Sequence, residues 1–124
     1  MSRPSPAPVL LAALTLLTLA SRALAQDAGE ATFKRYCSVC HSVDAGVNKI
    51  GPSLHGIVGR KAGSVPGYSY TDANKNSGAS WDEATLDTYL TDPRKFIPGT
   101  KMLFAGIKNE PDRKGLIAYL KQQK

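Results

Sequence analysis

The sequence predicts an all-α fold. Three observations carry it. Apolar residues recur at helical spacing near both ends of the region after Gln26 and once in its middle. No segment alternates apolar and polar residues as a half-buried strand does. The stretches between the stripes are rich in glycine and proline. Three main helices, a short helix and long loops follow from this pattern.

The elements can be justified in chain order. Arg3 is a basic start, Val9 to Ala20 is a short apolar run, and Ala23-Leu24-Ala25 puts small residues where a signal peptidase reads. Residues 1–25 are therefore expected to be a secretory signal peptide, cleaved before Gln26. The alternative is an uncleaved anchor, but a helix crossing a bilayer needs about 20 apolar residues, more than this run supplies. Cleavage leaves residues 26–124, enough for one domain with a modest core. A first helix is expected from Asp27 to Tyr36, with Asp27 and Glu30 as a capping box and Gly29 and Phe33 sharing one face. From Ser42 to Gly67 periodicity vanishes and glycines crowd in. A loop this long makes sense if it wraps a cofactor, because close backbone approach favours glycine. A short helix is expected over Thr71 to Asn76, stopped by Gly78. Ser80-Trp81-Asp82-Glu83 reads as a capping box with Ser80 as N-cap. The helix it opens runs to about Leu90 on a face of Leu86, Tyr89 and Leu90 and ends at Asp92-Pro93. Pro98 to Met102 is a turn-rich loop. The last helix starts near Pro111, carries Leu116, Ile117 and Leu120 with Tyr119 beside them, and ends in lysines that suit its dipole.

Chemistry enters with five consecutive residues, Cys37-Ser38-Val39-Cys40-His41. Two thiols three positions apart, followed by an imidazole, are the attachment signature of a c-type haem. Each thiol adds to one porphyrin vinyl group, and His41 serves as an axial ligand to the iron. Both cysteines of the chain lie here. A disulfide is the ordinary expectation for an exported pair, but the adjacent histidine favours thioethers. A thioredoxin-like pair needs a βαβ pattern that is missing. A zinc site needs more ligands than His55, the one other histidine, can add.

The formal charge is +6, and loss of Arg3 and Arg22 with a segment that holds no acid leaves +4. A positive balance suits an acidic partner surface, approached by long-range attraction. Nucleic acid fits poorly, because the basic residues are dispersed and the protein is expected outside the cytoplasm.

The iron's remaining axial position decides function: an open site binds small molecules, and a second strong ligand favours electron transfer. Met102 is the single methionine after Gln26. It lies far beyond His41 in sequence, in a loop fixed by Pro98 and Gly99, where packing seldom needs methionine. His55 competes on spacing alone. A thioether favours reduced iron and raises the potential, and a dry pocket acts the same way.

The chain resembles the class I cytochromes c, near the bacterial cytochromes c2 and mitochondrial cytochrome c. The resemblance spans nearly all of residues 26–124: Gly29 and Phe33, Cys37 to His41, Gly51-Pro52-Ser53-Leu54-His55-Gly56, Gly59-Arg60, Tyr68 to Asn76, Trp81, Pro98-Gly99-Thr100-Lys101-Met102, Phe104 to Lys108 and Leu116 to Leu120. It implies the cytochrome c fold around one haem c bound through Cys37 and Cys40, with His41 and Met102 as axial ligands. It implies that the Pro52 carbonyl orients His41, and that Arg60, Tyr70 and Trp81 hold the propionates. Tyr89, Asn74 and Thr100 would form a polar network near the Met102 sulfur, Phe104 would lie beside the haem edge, and Gly29, Phe33, Leu116 and Tyr119 would form a helix crossing. The implied function is that of a soluble, monomeric periplasmic carrier. It would take single electrons from a cytochrome bc1-type complex to a terminal oxidase or photosynthetic reaction centre, and it would not be an enzyme. Lys34, Arg35, Arg94, Lys95, Lys101 and Lys108 would form the docking rim. Two features depart from the pattern: Tyr36 stands where mitochondrial relatives usually carry lysine, and Asn109-Glu110 thins the rim. The rival reading, a haem enzyme or gas sensor, requires a weakly held sixth position.

Overall fold

A computed structural model describes residues 7–124, with side chains from Leu16 onward. Arg3, the basic start of the expected export segment, lies outside the described residues. The elements are α1 (Ala7–Tyr36), α2 (Asp72–Lys75), α3 (Glu83–Thr91), α4 (Pro93–Phe96) and α5 (Glu110–Lys121). Among the described residues the only β-type pairing is an isolated bridge between Lys61 and Ser80. The fold is all-α, as the periodicity predicts.

The first helix does not start at Asp27. It runs without interruption from Ala7, so Asp27 sits mid-helix and caps nothing, and Glu30 instead pairs with Lys34 at 2.6 Å. The reason is cooperative: residues 9–28 hold no glycine or proline, and propagation costs little once a helix exists. The two halves of α1 differ in burial. Every side chain from Leu16 to Ala25 is exposed, whereas Gly29, Thr32 and Phe33 are buried. No described helix is long and apolar enough to cross a membrane.

The buried half of α1 crosses α5, and glycine makes the crossing close. A Cβ on Gly29 would stand 2.2 Å from the Gly115 carbonyl oxygen and 2.7 Å from Tyr119 Cβ. Phe33 and Tyr119 pack their rings at 5.7 Å beside this contact, and Leu116 is fully buried beneath it.

Helix α3 starts two residues later than the Ser80 capping box predicts. Asp82 is the N-cap, its carboxylate accepting from the Thr85 N–H at 2.7 Å. Ser80 cannot cap because residues 79–81 are already committed to extended pairing with 59–62. Ala62 N–H donates to the Ala79 carbonyl at 2.9 Å, Trp81 N–H to that of Arg60 and Gly59 N–H to that of Trp81, both at 2.8 Å. Asp92 ends α3, as the Asp92-Pro93 pair predicts, and it also caps α4, a single helical turn that the sequence reading does not include.

The end of α3 is closed by the segment before α5. Ile107 N–H donates to the Leu90 carbonyl at 2.8 Å, and Lys108 Nζ to that of Thr91 at 2.5 Å. Gly106 adopts φ +98, and a Cβ there would fall 2.2 Å from the Thr91 oxygen. The carbonyls that a helix leaves unpaired at its C-terminus are thus satisfied from outside. Arg113 of α5 binds this region from below: its Nε meets Asp87 of α3 at 2.7 Å and its guanidinium donates to the Ile107 carbonyl at 3.0 Å.

Candidate haem site

The last turn of α1 continues into the cysteine motif. Cys37 N–H donates to the Phe33 carbonyl and His41 N–H to that of Cys37, both at 2.8 Å, so one tight turn carries both thiols and the imidazole. Cys37 is buried, Cys40 is half-buried, and the two form no disulfide. Burial, and secondarily the Cys40 thiol beside it, push Cys37 up to about 12. A redox-exchanging cysteine pair needs the opposite shift, a thiol that ionises near neutral pH. The environment therefore disfavours a thioredoxin-like role.

His41 Nδ1 donates to the Pro52 carbonyl at 2.8 Å. A hydrogen bond at one ring nitrogen fixes the tautomer and aims the other at a metal. Desolvation lowers the His41 pKa, the Pro52 bond opposes this, and Lys49 adds to the lowering, a shift that favours the neutral form a ligand needs. Gly51 is required here, since its Cβ would lie 2.2 Å from His41 Cε1. The loop that presents Pro52 is held without regular structure. Gly51 N–H reaches the Cys40 carbonyl and Leu54 N–H that of Ser42, both at 2.8 Å, and the buried Ser53 hydroxyl donates to the Asp44 carbonyl at 2.6 Å. His55 Nδ1 meets the Val43 carbonyl at 3.1 Å, binding the same loop together.

Met102 comes from the segment after α4 and is half-buried against the core. Tyr89 of α3 donates its hydroxyl to the Met102 sulfur at 3.5 Å. Burial raises Tyr89 to about 12, so this donor keeps its proton at any neutral pH. Thr100 Oγ1 accepts from the Met102 N–H at 3.2 Å and shapes the turn that carries the sulfur. Asn74 is not joined to these groups by a hydrogen bond among the described residues; it pairs with Thr71, the N-cap of α2, at 3.0 Å.

Arg60 lies beside Tyr70, and its carbonyl accepts from the Trp81 backbone N–H at 2.8 Å. The Arg60 guanidinium donates to the Ser53 carbonyl at 2.9 Å and to that of His55. Burial lowers its pKa while Tyr70 opposes the shift. The Tyr70 oxygen accepts from Val65 N–H at 3.1 Å, which leaves its own O–H to donate. Trp81 is buried, its ring 4.6 Å from that of Tyr89. Phe104 packs at 6.2 Å against Tyr36.

Of the expected rim, Lys34 pairs with Glu30, Arg35 lies 5.1 Å over the Tyr36 ring, Lys101 donates to the Ser69 carbonyl and sits 4.8 Å from the Tyr68 ring, and Lys108 caps α3. Arg94 and Lys95 are exposed on α4.

Sequence reasoning passed over Gly115 and Arg113. A glycine inside a helical stripe costs stability and so advertises a packing reason. A lone arginine between apolar helix positions carries no such mark.

This donor set fits a c-type haem. It offers two free thiols on one turn for thioethers, an imidazole whose Nε2 is hydrogen-bonded to no described residue, a thioether held by a tyrosine, and an arginine beside a tyrosine hydroxyl, suited to carboxylates. Fold and site together define a small all-α protein built around a covalently held haem. The cytochrome c family model matches residues 26–124, and the chain belongs to that family. Among its relatives, a cytochrome c2 of Rhodoplanes tepidamans is 56% identical over 97 residues, 77% of this chain and 90% of that protein. A cytochrome c of Gibberella zeae is 60% identical over 94 residues, 75% and 89% of the two chains. A cytochrome c2 of Rhodoblastus acidophilus is 52% identical over 99 residues, covering 79% and 92%. The family binds haem c, and Cys37 and Cys40 fit its attachment motif. The chain is accordingly a monohaem electron carrier and not an enzyme.

Proposed function

We propose that this chain is exported, loses residues 1–25, and works in a bacterial periplasm as a shuttle. It takes single electrons from a cytochrome bc1-type complex and passes them to a terminal oxidase or photosynthetic reaction centre. The haem, when bound, supplies reversible one-electron exchange between ferrous and ferric iron. The chain's own residues do the rest. Cys37 and Cys40 would bond the porphyrin, His41 and Met102 would ligate the iron, and Arg60, Tyr70 and Trp81 would hold the propionates, while Tyr89 and Thr100 hold Met102 in place. Asn74 and Phe104 would lie beside the haem. The observation that supports the reading is the Tyr89 hydrogen bond to the Met102 sulfur, at 3.5 Å, because a sulfur already oriented would be ready to take the sixth position. A filled position favours electron transfer over ligand binding.

Export is supported by the contrast within α1: the side chains from Leu16 to Ala25 are all exposed, and the family match starts at Gln26. Relatives named cytochrome c2 support the periplasmic setting and the membrane partners. The rim of Lys34, Arg35, Arg94, Lys95, Lys101 and Lys108 would steer the +4 polypeptide to acidic surfaces.

Two measurements on the secreted product test this. Its mass should equal residues 26–124 plus one haem, and the oxidised protein should show the weak long-wavelength sulfur-to-iron charge-transfer band. A bare polypeptide with two free thiols overturns the cofactor assignment. Absence of the band, with rapid carbon monoxide binding in the reduced state, overturns Met102 and the carrier role. Exchange with an acidic partner should slow as salt rises; a rate indifferent to salt refutes steering.

A further inference from the structure

Resting on the haem reading above, we infer that Asn48 is a positioning residue for His41, acting through the Pro52–Ser53 peptide and biasing the iron towards its ferric state. The Pro52 carbonyl and the Ser53 N–H belong to one peptide unit. His41 Nδ1 donates to that carbonyl at 2.8 Å, and the N–H of the same unit donates to Asn48 Oδ1 at 2.9 Å. Two hydrogen bonds therefore run from the imidazole, through one planar amide, to the Asn48 side chain. Resonance couples the two ends of a peptide unit. An acceptor on its N–H moves electron density onto its oxygen, and bonds linked in this way strengthen one another by about 10–30% each. A stronger acceptor at Nδ1 makes the imidazole more basic, and a more basic axial ligand favours ferric iron.

The surroundings hold this relay in one arrangement. Asn48 is half-buried and Ser53 is 3% exposed, so little water competes for the N–H. The other polar groups of Ser53 are engaged too. Its hydroxyl donates to the Asp44 carbonyl at 2.6 Å and accepts from the His55 N–H at 3.2 Å, and its carbonyl accepts from Arg60 at 2.9 Å. The partners also fix which way the Asn48 amide points. Oδ1 faces an N–H, and Nδ2 faces the Pro66 carbonyl at 3.5 Å; the reverse would set donor against donor. On the near side, Gly51 N–H is held by the Cys40 carbonyl at 2.8 Å, which keeps the Pro52 carbonyl in place beneath His41.

The test uses the haem-loaded protein and reads two quantities that a mere tie between loops leaves unmoved. One is the reduction potential. The other is the chemical shift of the His41 Nδ1 proton in the reduced, isotope-labelled protein. Asn48→Leu removes the acceptor. It should shift the redox equilibrium about twofold towards ferrous iron, a rise of roughly 20 mV at about 59 mV per tenfold, and move the ring proton upfield. Asn48→Asp keeps an oxygen for the Ser53 N–H, strengthens it with charge and gives up the Pro66 bond. It should lower the potential and move the ring proton downfield. Ring protons that move the same way in both variants, or in neither, overturn this inference alone. If Asn48→Leu yields no haem-loaded protein, Asn48→Asp decides by itself, and an unmoved or upfield ring proton overturns the inference. Wild type without haem, or with a His41 ring proton untouched by the porphyrin ring current, overturns the cofactor reading and this inference with it.

Discussion

Two glycines face each other where α1 crosses α5, yet they should respond to alanine with opposite signs. At Gly29 an added Cβ lands 2.2 Å from the Gly115 carbonyl oxygen, far inside the 3.4 Å at which ordinary contact starts, so the helices must part. A gap of about 0.5–1 Å already forfeits a quarter to a half of each dispersion contact it opens. The contacts at risk include Phe33, Leu116 and Tyr119. Overpacking of this kind costs about 1–3 kcal/mol, and the upper end applies because the obstacle is backbone. Alanine's better helix propensity returns about 1 kcal/mol. Gly29→Ala should therefore lose about 2 kcal/mol, or about 10 °C in Tm for a domain of this size. At Gly115 the nearest atoms to an added Cβ are Gly29 Cα and N at 3.8 Å, an unstrained contact. Gly115→Ala should instead gain roughly 0.5–1 kcal/mol from propensity. Guanidinium and thermal unfolding of the ferric haem-loaded protein, followed by far-ultraviolet circular dichroism, give both numbers. A Gly29→Ala variant as stable as wild type, or a Gly115→Ala variant that falls with it, refutes the steric account.

Three further outcomes follow from other contacts. Tyr89→Phe removes the donor to the Met102 sulfur, which makes that sulfur a stronger donor and stabilises ferric iron. Spectroelectrochemical titration should show a potential lower by about 20–60 mV, the worth of one modest hydrogen bond for a one-electron couple, and a rise would contradict the assignment. Arg113→Leu should be tolerated better in the Asp87→Leu background than alone, because the single change strands Asp87 while the double change removes both partners. With Asp87 one-third exposed (34%), the single loss should be about 2 kcal/mol, less than for a fully buried pair, and additive losses would argue against coupling. Asp82 has its pKa lowered, first by the Thr85 backbone N–H it accepts from. A depressed folded pKa means that its capping contribution is complete above the ordinary aspartate value and is lost as pH falls through the lower folded one. Asp82→Ser should flatten that acid limb of the stability profile, and an unchanged limb assigns it to other groups.

The motif from Cys37 to His41 and the loop from Pro98 to Met102 were legible because their residue types are dictated by chemistry, which survives any change of surroundings. The helix stripes of α3 and α5 were legible because burial imposes a period. The starts of α1 and α3 were not, although Asp92-Pro93 and Pro111 marked the end of α3 and the start of α5. Asp27 followed by Glu30 has the chemistry of a cap, but capping needs a helix to begin there, and the residues before it propagate one instead. Ser80 and Asp82 both can cap; what chose Asp82 was pairing of 79–81 with the distant segment 59–62, a tertiary fact that a local pattern does not hold. Asn74 is the opposite case: its side chain pairs with Thr71, three residues before it.

Lys101 reaches the Ser69 carbonyl and rests on the Tyr68 ring, and the Tyr68 hydroxyl donates to the Ile50 carbonyl at 2.8 Å. Three irregular stretches are thereby laced edge to edge. None can swing open on its own hinge, since each is moored to the main chain of the next. Breathing of this wall is consequently a joint event, in which the strand of chain beside the imidazole and the one bearing the sulfur loosen together or stay shut.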